Sequence, residues 1–413
     1  MAAMKTPARL FTALLFFQLN VQFNVGCIQK DKHAPNVAHA ATTSSSSRGI
    51  ASLLEPVELR SIRARQPTVS GVSSGGFMAI QLFVAHSNTF EGAGTFAGGI
   101  YGCAKGQKDF MTLFEDNKKS LMAVLGSRGV NEGASRPTIQ SIEVCMQRPS
   151  LIDVDFSVNL ARQNEASGVI DKLTNLQNKP VAIFQGDLDP TVLAPSAEKL
   201  DQFLKRFGSR TRLTMVSGLG HALPSPKGSL ACGTTGSPFL AKCSRQDGSQ
   251  VDGAGEVLRT LYGQLRARTE MDPQSLYRFS QSQLINAASA TMSGEGFVYW
   301  PKACRDANSN CRLHVALHGC HQNGDAVGDE FARNAGYNEW AEANGIVILY
   351  PNAAVSQMAH PMSIPFKRDD RSSSFGYNPN GCWDWFAYTG AFYTTQEAPQ
   401  IEAIKKMVDF LMK

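Results

Sequence analysis

Short apolar runs rich in β-branched residues recur along the chain, each bounded by Gly, Pro, Asn or Asp. PVAIFQGD (180–187), TRLTMVSG (211–218), RLHVALHG (312–319) and GIVILYPN (345–352) read as strands. Amphipathic stretches near 256–267, 329–344 and 399–412 read as helices. This alternation predicts an α/β fold, a mostly parallel sheet with helices on both faces. No internal repeat and no second compositional regime interrupts it, so a single domain is expected over 51–413, with no separate second domain.

The N-terminus begins differently. Lys5 and Arg9 precede an apolar stretch that Gln18 and Asn20 soon interrupt, too short for a membrane span and suited to a secretory signal over residues 1–40. Ala38-His39-Ala40 offers an A-x-A cleavage pattern, and Cys27 is a weaker lipid-attachment alternative. Residues 41–50, which include ATTSSSSR, read as a linker.

Composition sets outer limits. The 413 residues are 43% hydrophobic and 18% charged, as expected of a folded globule. A formal net charge of +5 with scattered Lys and Arg gives nucleic-acid binding little support. Of nine cysteines, Cys27 lies in the leader, and the remaining eight suit up to four disulfides in an oxidising compartment. Their spacing contains no metal-binding CxxC pair, so neither a metal nor another cofactor is expected.

Gly71-Val72-Ser73-Ser74-Gly75 forms a G-x-S-x-G box followed by the helix-like run FMAIQLFVAH. In a nucleophile elbow the serine occupies a tight turn between strand and helix, its neighbours are small, and its Oγ projects into the cleft. A glycine- and serine-rich turn without chemistry is the plain alternative. Downstream, GDLDP places Asp187 and Asp189 in a loop after a strand, and GLGHALP places His221 in a glycine-flanked loop. Either aspartate alone reads as a turn or cap residue, yet the order Ser, Asp, His is that of α/β-hydrolases. The His-Gly pair that usually precedes the elbow occurs far downstream instead, as His318-Gly319-Cys320, where a backbone N–H would serve an oxyanion. Circular permutation of an α/β-hydrolase explains this order. His318 as a second general base is the lesser alternative.

The segments GVSSGGFMA, AGGIYGCA, GDLDPTV, DGAGEVLRTLYG, LHVALHGCHQ and NGCWDWF resemble, in matching order, the catalytic domain of extracellular poly(3-hydroxybutyrate) depolymerases, in the type whose lipase box lies nearest the N-terminus. The resemblance implies Ser73 as nucleophile, Asp189 as triad acid and His221 as base, with the amides of Ser74 and Cys320 as oxyanion hole. It implies Trp383, and next Trp385, as the aromatic ring that packs on the acyl unit, although both indoles also suit a core. A Cys320–Cys382 disulfide would tie the Trp segment to the oxyanion loop. Neighbourhood along the chain alone pairs Cys103 with Cys145, Cys232 with Cys243 and Cys304 with Cys311.

The implied protein is a secreted serine esterase, extracellular or periplasmic, acting on a polyester or oligoester. Without an appended binding module, soluble oligomers and amorphous polymer are the expected preference, with adsorption resting on an apolar rim around Trp383. The segment AYTGAFYTTQEAPQ departs from the family pattern. A feruloyl or acetylxylan esterase is the enzymatic rival. A catalytically silent binding protein on a hydrolase scaffold is the rival of another class.

Overall fold

A computed structural model describes residues 54–106, 140–306, 309–356 and 378–413. The expected signal segment, linker, Cys27 and A-x-A pattern lie outside these residues.

Four parallel strands come first: β1 (Arg65–Val72), β2 (Ala93–Phe96), β3 (Pro180–Gly186) and β4 (Arg210–Val216). Three short strands after His221, β5 (Leu223–Pro224), β6 (Leu230–Ala231) and β7 (Leu240–Lys242), form a small separate sheet, fastened by the Cys232–Cys243 disulfide. The C-terminal part adds β8 (Leu276–Ser280), β9 (Glu295–Tyr299), β10 (Arg312–Leu317) and β11 (Ile346–Tyr350).

The eight long strands lie in the order β4-β3-β2-β1-β10-β11-β9-β8, parallel from β4 to β11 and antiparallel across β9 and β8. One half of the sheet is thus built by the N-terminal strands and the other by the C-terminal ones, as a permuted α/β-hydrolase requires. The seam is the β1–β10 pair, where Gly71 stands opposite Leu317. That register brings the ends of both strands, and hence Ser73 and His318, to the same edge.

Side chains alternate across a strand, and the two cores follow that period. Val181 and Ile183 of β3 pack in one core with Leu313, Val315 and Leu317 of β10, whereas Ala182, Phe184 and Ala316 pack in the other. The first core receives α1 (Ser74–Ala85), α2 (Val154–Ala166), α3 (Pro195–Arg206) and the C-terminal helix Pro399–Met412. The second receives α4 (Gly253–Tyr262) and the helix Tyr337–Asn344. Helices therefore cover both faces. Every residue of α1 is buried, which explains why SGGFMAIQLFVA has no polar face to show.

Local chemistry moves two helix boundaries from their expected positions. The helix expected over 256–267 begins at Gly253 because the Asp252 carboxylate accepts the Gly255 amide, and it stops before Gly263, whose φ of 78° is left-handed. The stretch 329–344 is two helices, Glu330–Asn334 and Tyr337–Asn344, parted by Gly336 at φ 93°. The helix at Pro399–Met412 has the expected limits, with Pro in its first turn. No helix among the described residues is long and apolar enough to cross a membrane.

Candidate active site

β1 ends at Val72, and the chain turns at Ser73, whose φ of 55° is left-handed for a non-glycine residue. The Phe96 carbonyl holds the turn by accepting the Ser73 amide at 2.8 Å. The small neighbours are a steric necessity. A Cβ on Gly71 would lie 2.3 Å from the Gly75 carbonyl oxygen, and one on Gly75 would lie 2.3 Å from that of His318. The glycines thus let β1, α1 and β10 converge beneath the serine.

Ser73 is half-buried, and its Oγ lies 2.9 Å from His221 Nε2. On the other side of the ring, Nδ1 lies 2.8 Å from Asp189 Oδ2. A carboxylate only accepts, so Nδ1 carries the proton and Nε2 is free to accept from the serine hydroxyl. Asp189 is itself fixed: Oδ1 accepts the amides of Thr191 at 2.8 Å and Val192 at 2.9 Å, while Gln185 Nε2 donates to Oδ2 at 3.3 Å. The His221 backbone amide donates to Thr235 Oγ1. Asp187 does other work, accepting the Gly218 amide at 2.7 Å and so joining the loops that follow β3 and β4.

The turn after β10 lies against Ser73, since a Cβ on Gly319 would be 3.3 Å from Ser73 Cβ. Both backbone groups of Gly319 are occupied: its amide donates to Gln322 Oε1 at 2.6 Å, and its carbonyl lies 2.7 Å from His318 Nδ1. The Ala353 amide donates to His318 Nε2, so the ring proton resides on Nδ1 and goes to Gly319. Burial lowers the pKa of His318 to about 4. With both nitrogens engaged and the ring held neutral, it does not have the character of a second general base. Among the described residues the Cys320 amide donates to no other group. The amide of Ser74 opens α1 beside Ser73.

All four expected disulfides are formed: Cys103–Cys145, Cys232–Cys243, Cys304–Cys311 and Cys320–Cys382. The last fastens NGCWDWF to the turn after β10, and the Trp383 amide donates to Ser74 Oγ at 3.3 Å. The Trp383 side chain is completely buried, with its ring 5.1 Å from that of His318. The expectation of a surface rim around it is therefore corrected: an indole with no exposed area cannot adsorb to a polymer face. Trp385 is also in the core, stacked on Phe77 at 3.8 Å. Among the described residues the most exposed large apolar side chain is Leu188, 61% accessible in the loop that carries Asp189.

Sequence reasoning missed three supports. Gln322 reaches from the turn after β10 to the Pro238 carbonyl. Asn378 receives the Cys382 amide and donates to the Cys382 carbonyl. Asp384 accepts the amides of Phe386, Tyr388 and Thr389, and burial raises its pKa. Only Asp384 carried a signal, as an acidic residue inside an apolar aromatic segment. No cluster among the described residues has the ligands for a metal ion.

No protein-family model matches the chain. It is 34% identical over 380 residues to the poly(3-hydroxybutyrate) depolymerase of Delftia acidovorans, a match covering 90% of this chain and 65% of that relative's length. It is 31% identical over 331 residues to the polyhydroxybutyrate depolymerase of Talaromyces funiculosus, covering 78% of this chain and 83% of the relative. Its fold is similar to the crystal structure of PHB depolymerase from Penicillium funiculosum, with a TM-score of 0.66 and 28% identity over 86% of this chain and 99% of that one. A serine-to-alanine PHB depolymerase solved with an R3HB trimer gives the same TM-score at 27% identity, with the same coverage of both chains. Sequence, sheet order and site geometry converge, and the chain belongs to the polyhydroxybutyrate depolymerase family.

Proposed function

We propose that this chain is a serine esterase that hydrolyses poly(3-hydroxybutyrate), or a related polyhydroxyalkanoate, and its oligomers through an acyl-enzyme. The observation that carries the reading is the continuous relay from Asp189 through His221 to Ser73, with contacts of 2.8 and 2.9 Å. His221 takes the Ser73 proton as Oγ attacks an ester carbonyl, and the amides of Ser74 and Cys320 meet the developing oxyanion. The protonated imidazole then donates to the departing alkoxide, which leaves as the hydroxyl end of the polymer. Water, deprotonated by the same histidine, releases the acid and restores the serine.

The order of Ser73, Asp189, His221 and Cys320 along the chain, with the nucleophile strand first, supports the subtype whose lipase box lies nearest the N-terminus. Residues 51–413 act as the catalytic domain. Four disulfides favour an oxidising destination, extracellular or periplasmic.

The test is hydrolysis of hydroxybutyrate oligomers beside feruloyl and acetyl-xylan esters, by the parent and by Ser73→Ala. The parent is expected to prefer the hydroxybutyrate esters, and Ser73→Ala to lose about 10³-fold or more of kcat. A preference for the sugar-linked esters, or substantial turnover by Ser73→Ala, overturns the reading.

A further inference from the structure

We infer that Gln322 is a positioning residue that sets the oxyanion hole and couples it to the loop packed on the catalytic histidine. The inference rests on the proposed roles of Ser73, His221 and Cys320, and goes beyond them by assigning a residue that does not touch the reacting atoms.

Gln322 is 2% exposed, and both ends of its amide are engaged. Oε1 accepts the Gly319 amide at 2.6 Å, and Nε2 donates to the Pro238 carbonyl at 2.6 Å. Gly319 is the residue pressed against Ser73, with a hypothetical Cβ 3.2 Å from the Val72 carbonyl and 3.3 Å from Ser73 Cβ. An uncommitted N–H at that point would compete for the oxyanion from the wrong direction. Gln322 removes it from competition and leaves the next amide, that of Cys320, unengaged.

The geometry of the peptide unit makes this an orienting device. The Gly319 carbonyl and the Cys320 amide share one planar unit and point in opposite directions. His318 holds the carbonyl at 2.7 Å, and Gln322 holds the preceding amide, so neither peptide plane beside Gly319 is free to rotate. The direction of the Cys320 N–H follows. From the other end of Gln322, Pro238 leads to Phe239, whose ring meets His221 edge-on at 6.3 Å. One buried side chain therefore bridges the oxyanion turn and the loop that packs on the general base. It spans 84 residues of sequence, and neither glycine nor disulfide does the same.

Gln322→Met keeps the approximate shape and removes both hydrogen bonds. We expect kcat to fall by about tenfold to a hundredfold, less than or equal to the loss from deleting an oxyanion donor, with KM within about twofold of the parent. Affinity for a trifluoromethyl ketone, whose hemiketal oxyanion occupies the hole, should fall by the same factor as kcat/KM. Gln322→Glu restores the acceptor for Gly319 and should recover part of kcat. A merely structural role would lower the melting temperature without this correlation. If Gln322→Met does not fold, the same comparison of inhibitor affinity with kcat/KM in Gln322→Glu decides. The assignment is overturned if kcat stays within twofold of the parent, or if KM rises while inhibitor affinity is unchanged. Ser73→Ala, run beside these variants, separates the cases: activity surviving there breaks the proposed function, whereas an inactive Ser73→Ala with an unimpaired Gln322→Met removes only this inference.

Discussion

Ser70 Oγ lies 2.8 Å from His314 Nε2, joining β1, which ends beside Ser73, to β10, which leads to Cys320, across 244 residues of sequence. The other ring nitrogen meets Thr68 Oγ1 at 2.7 Å, Thr68 donates to the Tyr262 hydroxyl, and Tyr337 OH lies 2.7 Å from Ser70 Oγ. One neutral imidazole thus pins β1 against β10, and a slip of one residue would break both contacts.

Burial lowers the pKa of His314 to about 3, and burial is the first cause of the values of about 4 for His86 and His318. The folded values lie below the unfolded value of about 6.5, so the unfolded chain binds more protons between them. Stability is then complete above about pH 6.5 and declines as pH falls, by up to about 1.4 kcal/mol per pH unit for each histidine. Asp384, raised by burial, opposes this near the bottom of the range. Denaturant unfolding at a series of pH values should show the decline. In His314→Gln its slope should lessen by about one proton, and an unchanged slope would contradict the assignment.

Asp189→Asn should lower kcat by about 10⁴-fold, because an amide facing Nδ1 favours the wrong tautomer and gives the imidazolium no charge to meet. Asp187→Asn keeps an oxygen for the Gly218 amide and should cost less than about tenfold. Steady-state rates on a soluble ester distinguish the two. Equal losses would mean that the triad acid has been misplaced.

Trp383→Ala should open a cavity in the core and cost about 3–5 kcal/mol, slowing hydrolysis of polymer and of a small nitrophenyl ester alike. Leu188→Asp should instead weaken binding and turnover of polymer while leaving the small ester within about twofold, since it changes exposed apolar surface near Asp189. Binding to polymer granules, measured beside both rates, checks the pair. Selective loss of polymer activity in Trp383→Ala would restore the indole to a contact role.

Much of the site was legible because its chemistry demands rare local patterns. An elbow with Gly71 and Gly75 around Ser73 leaves few alternatives once steric closeness is considered, and His-Gly-Cys after an apolar strand is as distinctive. Trp383 shows the limit. An indole has equal reason to bury itself in a core or to face a ligand, and sequence cannot say which side of the chain closes over it. Gln322 was invisible for a related reason: its partners, Gly319 and the Pro238 carbonyl, are backbone groups that any residue supplies.

The sequence by itself marked β3, β4, β10 and β11, the permuted order of parts and the candidate residues for nucleophilic, basic and acidic chemistry, because period, turn residues and side-chain type are local properties. Tertiary structure alone decided that Asp187 ties together the loops after β3 and β4, that Gln322 engages the Gly319 amide, and that Trp383 is buried while Leu188 meets solvent. Those choices depend on distances between segments as much as 309 residues apart, as between Ser74 and Trp383. Only packing of the sheet and its two helical layers sets them.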